Sequence, residues 1–178
     1  NLNFLAWSVF QSCLYSVFVN RMKLAIQTGK DNTILRTVST PVKLQELHSY
    51  RVLGESMLAY IKNPKHGWIG LAAPQVGTNK RIIIVGLPEK KDDEKYPIIL
   101  MINPIISKKG WELARDEEWC LSLPGLLGKV ERATSIDVEW IDIKGKKMKK
   151  NITGYGARVV QHEVDHLDGV MICDKFLK

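Results

Sequence analysis

Acidic residues are missing from the first thirty positions, and Asp31 is the first of them. The stretch opens with NLNFLAWSVFQSCLYSVFV, apolar and uncharged, and the positive charges of Arg21, Lys23 and Lys30 come only afterwards. A secretory signal carries its positive charge ahead of the apolar run, so this order argues against one. A membrane-spanning helix needs about 20 predominantly apolar residues. Here Ser8, Gln11, Ser12 and Ser16 break a run that is already short, which leaves no firm membrane association. Three readings remain for residues 1–21: an organelle-targeting leader, a membrane-surface helix, or sequence upstream of the natural start. The last is preferred, because ordinary globular sequence begins soon after Met22.

Cysteine is also scarce. Cys13, Cys120 and Cys173 are odd in number and far apart, which does not make a disulfide framework. A reducing compartment follows more simply, with at least one thiol available for a metal. There is no internal repeat and no low-complexity linker. No nucleic-acid recognition motif accompanies the net charge of +7, so the basic surface is compatible with RNA or a ribosome without specifying either. The lysine run KGKKMKK at 144–150 reads as a solvated hairpin. What is present suits one globular domain over 22–178: the chain has 178 residues, 45% of them hydrophobic and 25% charged.

Thr40-Pro41 is expected to open a helix running to about Ile61, with Leu44, Leu47, Leu58 and Ile61 at helical spacing and Asn63-Pro64 ending it. RIIIVGL (81–87) reads as a buried strand, residues 89–95 as a polar hairpin tip, and PIILMINP (97–104) as the returning strand, with extended chain on to Trp111. SIDVEWIDI (135–143) alternates at period two, Lys144-Gly145 turns, and KMKKNIT (147–153) returns. The last long element is a helix from about Gly154 to Leu167, with Gly169 as its C-terminal cap. Strands in the middle and helices at the flanks predict an α+β fold, with antiparallel sheets packed around the C-terminal helix.

That helix carries 162-HEVDH-166. Residues four apart share a helix face, so His162 and His166 can hold one metal ion from the same side. Glu163 is rotated about 100° from His162, which puts its carboxylate beside the open coordination position, within reach of a bound water's proton. A catalytic site of this type takes three protein ligands plus water. The metzincin extension HExxHxxGxxH fails here, since Gly169 matches but Ile172 stands where the third histidine belongs. Downstream of His166 the only acids are Asp168 and Asp174, with no room for another helical domain, so the third ligand must lie upstream. Cys120, in 117-EEWCLSLPG-125, is the candidate. Its thiolate suits borderline and soft divalent metals, Asp116-Glu117-Glu118 give it a polar approach, and Leu-Ser-Leu-Pro is expected to hold the chain extended after it. Cys13 and Cys173 lack such surroundings and read as structural or incidental. His48, in a helix, and His66, in a loop, read as non-ligands. In GLAAPQVG the small residues let a substrate backbone approach closely, and Gln75 offers an amide donor.

With these segments in order the chain resembles the peptide deformylases, which remove the formyl group from the N-terminal methionine of new polypeptides. That family carries GxGxAAxQ, EGCxS and HExxH, and they stand here as 68-WIGLAAPQ-75, 118-EWCLS-122 and 162-HEVDH-166. The resemblance runs from about Thr33 to the end and includes ILR at 34–36. It implies Cys120, His162 and His166 as metal ligands and Glu163 as general base and acid. It implies that Gln75 and the backbone N–H of Leu121 stabilise an oxyanion, and that Ile69, Gly70, Glu118 and Val159 lie along the substrate cleft. It implies iron(II), although a Cys/His/His set can also hold zinc, nickel or cobalt. It implies work on N-formylmethionyl nascent chains beside the ribosome, in a bacterial cytoplasm, or in an organelle if residues 1–30 include a genuine leader.

Two positions depart from the family pattern: Trp68 and Trp119 stand where it has glycine. Tryptophan would be strained where the backbone needs glycine. Otherwise the backbones are ordinary and the indoles either pack away or reshape the cleft. Two rival readings stand beside this one: a zinc endopeptidase, opposed by the absent downstream ligand, and a non-catalytic binding protein, opposed by the intact Glu163.

Overall fold

A computed structural model describes residues 22–177. The readings of Cys13 and of segment 1–21 lie outside those residues. Seven strands run in chain order: β1 (Gly70–Ala72), β2 (Ile82–Gly86), β3 (Ile98–Lys109), β4 (Leu113–Trp119), β5 (Leu127–Ala133), β6 (Ser135–Ile141) and β7 (Lys147–Thr153). Among the described residues three α-helices join them: α1 (Thr33–Arg36), α2 (Arg51–Lys62) and α3 (Gly154–Leu167). Five strands form an antiparallel sheet in the order β1-β2-β3-β6-β7, and β4 and β5 pair as a separate antiparallel hairpin. The fold is α+β.

The run IIIVG makes β2 because every one of its residues is buried, which β-branched side chains tolerate in a sheet covered on both faces. Alternation sends Ile83 and Val85 into one core, with Met101, Val138, Val160 and Leu167, beneath α3. Ile82 and Ile84 enter the other core, with Leu53, Met57 and Ile61, beneath α2. The two long helices therefore cover opposite faces of the sheet. Each isoleucine so buried contributes roughly 1.5–3 kcal/mol. A third, smaller cluster joins Leu35 of α1 to Cys120, Leu123, Met171 and Ile172.

α3 keeps the bounds its pattern predicts. No side chain caps its N-terminus; instead the Tyr155 and Gly156 N–H groups donate to the Glu89 and Pro88 carbonyls at 2.9 and 2.7 Å, satisfying first-turn donors. Its C-terminus closes as a Schellman turn, with the Val170 N–H on the Asp165 carbonyl at 2.9 Å and Gly169 at φ +72°. Glycine is doubly required there, because a β-carbon on residue 169 would stand 2.5 Å from the Arg36 carbonyl oxygen.

Three expectations need correction. The helix expected from Pro41 does not begin there: Leu44–Tyr50 is a 3₁₀ helix and the α-helix starts at Arg51. The chain before it is held extended by a bridge from Thr40 to Lys80 and by two bonds between the Val42 backbone and the Asn103 side chain. The strand expected over 135–143 stops at Ile141, because Asp142 Oδ1 accepts the Lys144 and Lys146 N–H groups and closes the turn early. Leu121 to Pro124 do not run extended after Cys120. They form a turn, with the Leu123 N–H on the Cys120 carbonyl at 3.0 Å and Gly125 at φ +78°.

Candidate metal centre

That turn at the end of β4 and the middle of α3 build the site together. The ligand atoms of Cys120, His162 and His166 all lie within 4.8 Å of one another. Cys120 Sγ stands 3.2 Å from His166 Nε2. Cys120 and His166 are almost wholly buried. Leu35 packs beside Cys120, and Arg36 clamps the chain after α3 through an ion pair with Asp174. The segment 34–36 thus supports the site from behind.

His162 is oriented by Glu118, whose Oε2 lies 3.0 Å from His162 Nδ1 and leaves Nε2 for the centre. Glu118 is itself held by Arg132, Nε on Oε1 at 2.5 Å and a terminal nitrogen on Oε2 at 2.8 Å, and by Arg158 at 2.7 Å. Arg132 also bonds Asp165 at 2.7 Å. All these groups except Asp165 are buried or nearly so. Burial alone would raise the Glu118 pKa, but the hydrogen bonds from Arg132 and His162 prevail and hold it well below the usual carboxylate range. Burial likewise opposes a charge on His162, yet bonds to Cys120 and Glu118 outweigh it and push its pKa up to about 10.

The donor set fits a divalent metal: one thiolate and two imidazoles, one of them fixed by a carboxylate behind it. A further sign is Glu163. Its carboxyl is buried, Oε2 meets no protein partner among the described residues, and burial pushes its pKa up to about 7. His166 Nδ1 is likewise buried without a partner, and burial together with the His162 charge drives that ring well below the ordinary histidine value.

Glu163 reaches this position because Gly70 has no side chain to exclude it, and a β-carbon there would stand 2.8 Å from Glu163 Cδ. Gln75 is buried across the cleft. Its Oε1 accepts the Ala72 N–H at 2.8 Å, and its Nε2 points to Ser122 Oγ at 3.3 Å and Cys120 Sγ at 3.9 Å. Among the described residues nothing accepts the Leu121 N–H. Ile69, Gly70, Glu118 and Val159 line the cleft with Gln75 and Glu163. Glu118 takes part from beneath, its carboxylate fully occupied by His162 and two arginines.

Trp68 and Trp119 both line the cleft as well. Among the described residues Asn103 is the only non-glycine at positive φ, so neither tryptophan sits on backbone that demands glycine. Of the residues set aside, His48 is exposed, His66 bonds the Tyr60 carbonyl at 3.0 Å, and Cys173 lies 3.9 Å from Arg36. Arg132 and Arg158 were not anticipated. Arg158 left a signal: it lies one turn before His162, in the apolar run Ala157-Arg158-Val159-Val160, where a solvated charge would not belong.

Comparison with known proteins points to one family. A family model described as "Polypeptide deformylase" matches residues 23–178. A peptide deformylase of Synechocystis sp. is 38% identical over 157 residues, 88% of this chain and 81% of that protein. One of Desulforudis audaxviator is 43% identical over 111 residues, 62% of this chain and 68% of the other. Among solved structures, the Met-Ala-Ser-bound class I type b peptide deformylase from Acinetobacter baumannii aligns with TM-score 0.78 at 32% identity, over 87% of this chain and 99% of that one. The Thermotoga maritima peptide deformylase aligns with TM-score 0.77 at 31% identity, over 89% and 100%.

Proposed function

Because the chain belongs to the polypeptide deformylase family, metal-dependent hydrolases that remove the formyl group from the N-terminal methionine of nascent peptides, we propose that it performs this reaction with Glu163 as the proton carrier. The observation that carries the assignment of roles is the buried Glu163 carboxyl, with one oxygen unpartnered, beside the converging Cys120, His162 and His166. Those three would hold the metal, which when bound supplies the Lewis acidity that makes water acidic near neutral pH.

Glu163 takes a proton from the attacking water as the water oxygen bonds to the formyl carbon. Gln75 Nε2 and the Leu121 N–H donate to the formyl oxygen as negative charge develops there. Glu163 then delivers its proton to the departing nitrogen. The C–N bond breaks, giving formate and a free N-terminal amine. β1 is an edge strand of its sheet, so Ile69 and Gly70 can pair with an extended peptide, with Val159 beneath it.

Iron(II) is the native metal in this reading; the soft thiolate and two imidazoles support it without distinguishing it from zinc, nickel or cobalt. Residues 22–178 act as one catalytic unit, in the cytoplasm, on chains leaving the ribosome; bacterial relatives and the nature of the substrate support this. No helix among the described residues is long and apolar enough to cross a membrane. The test is formate release from formyl-Met-Ala-Ser by protein loaded anaerobically with iron(II), beside a Glu163→Ala control. Release that the control abolishes supports the reading. No release from folded, metal-loaded protein overturns it.

A further inference from the structure

The two indoles replace family glycines at the same cleft from different elements, Trp68 just ahead of β1 and Trp119 at the end of β4. Their surroundings differ. Trp68 is half-buried and packs into the core beneath α2. Trp119 is 58% exposed although it lines the cleft. Its register partner Leu127 and the adjacent Leu126 lie just outside the lining and are each 40% exposed, so the indole at the cleft continues into two further apolar side chains open to solvent. A single exposed apolar residue needs no explanation, but an apolar cluster beside a peptide-binding cleft does.

Trp119 is also held firmly. It follows Glu118, whose side chain points to the opposite face of β4 and is fixed by His162, Arg132 and Arg158. These bonds anchor the strand beneath the indole. A partly exposed tryptophan on an anchored strand, next to aliphatic neighbours, is the kind of residue that dominates binding at protein surfaces.

We propose that Trp119 is a specificity-determining residue: with Leu126 and Leu127 it forms an apolar shelf that selects an aromatic or large aliphatic side chain within the two residues after the formyl-methionine. This rests on the deformylase reading. A peptide lying extended along the free edge of β1 alternates its side chains, so one of those two residues faces the β4 side, where glycine would offer nothing to touch. Trp68, largely committed to the core, shapes the wall and is not part of the shelf.

The test uses the metal-loaded enzyme and two series, formyl-Met-Xaa-Ser and formyl-Met-Ala-Xaa, with Xaa as Ser, Leu or Phe. The parent should prefer Phe over Ser by about tenfold in kcat/KM at one of the two positions, carried mainly by KM. Trp119→Gly should bring that ratio to within about twofold of unity, and Trp119→Phe should keep most of it. A parent without preference, or a preference unchanged by Trp119→Gly, overturns the proposal. Calorimetric binding of the product peptides Met-Ala-Phe, Met-Phe-Ser and Met-Ala-Ser tests it without chemistry: Trp119→Gly must abolish the affinity difference. Should the parent fail to deformylate formyl-methionine amide, the deformylase reading falls, while the binding comparison still decides the role of Trp119.

Discussion

A β-carbon placed on Gly70 would stand 2.8 Å from the carboxyl carbon of Glu163, closer than two such atoms can approach. The strand β1 and the helix α3 therefore meet with the proposed proton carrier wedged over a residue that has no side chain. Gly70→Ala should displace the carboxylate without removing any metal ligand. The expected outcome is a folded, metal-loaded protein whose kcat is lower by about 100-fold, since an ångström of misplacement costs that much. Steady-state kinetics beside a metal analysis checks it; a variant with parental kcat would show that Glu163 does not act from this position.

Glu118 fixes His162 and is pinned by Arg132 and Arg158. Glu118→Gln keeps the size of the side chain but leaves two buried arginines without their shared carboxylate. Metal affinity should fall about 10–100-fold, as happens when such an outer partner is lost. Stability should fall by about 3–5 kcal/mol through the broken buried pairs. Competition with a chromophoric chelator measures the first and denaturant unfolding the second. Unchanged metal affinity would reduce Glu118 to a structural role.

Removing the metal should also soften the fold, because the proposed ligands come from the turn after β4 and from α3. With free metal about 100-fold above its dissociation constant, the linked stabilisation is about 2.7 kcal/mol, or roughly 5–11 °C in melting temperature for a chain of this size. Thermal unfolding before and after chelation, then after iron(II) is returned anaerobically, provides the comparison. A melting temperature indifferent to chelation would contradict a site built from these three residues.

The pair Arg36–Asp174 gives a pH dependence. The hydrogen bond from Arg36, opposed by burial, lowers the Asp174 pKa below its ordinary value. A depressed folded-state pKa stabilises above the unfolded value near 3.9 and loses that contribution as pH falls through the folded value. Both side chains are about one-third exposed, so solvent screening limits the pair to about 1 kcal/mol or less. Asp174→Asn should therefore lower the melting temperature by a few degrees at pH 7, and the difference should shrink below about pH 4. A difference that persists in acid would assign the loss to the Asp174 cap on the Met171 N–H instead.

Much of this arrangement could be read in advance where local pattern and tertiary demand agree. α3 has the helical spacing of Val160, Val164 and Leu167 and a glycine stop, and its bounds came out as expected. The β6–β7 hairpin alternates cleanly around a turn, and only its first strand ended early. The β4–β5 hairpin was not foreseen because LARDEEW and LGKVERA carry little apolar alternation; much of β4 and part of β5 face solvent. The helix expected from Pro41 failed for the opposite reason: the spacing was present, but pairing of Thr40 and Val42 with distant chain held its start extended. Three ordered motifs pointed to the ligands, while Arg132 and Arg158 depend on contacts that cross 14 and 40 residues to Glu118 and leave no local trace beyond one charge in an apolar helix.

The clamp behind the metal centre also sets a clock on synthesis. Arg36 and Asp174 are 138 residues apart in the chain, and His166 follows Cys120 by 46. At roughly 5–20 residues per second, a ribosome adds Asp174 about 7–28 s after Arg36. Until then Leu35 and Cys120 wait without Met171 and Ile172 to pack against. A copy still being translated is therefore inert, and every formyl group removed during that interval is removed by a molecule finished earlier.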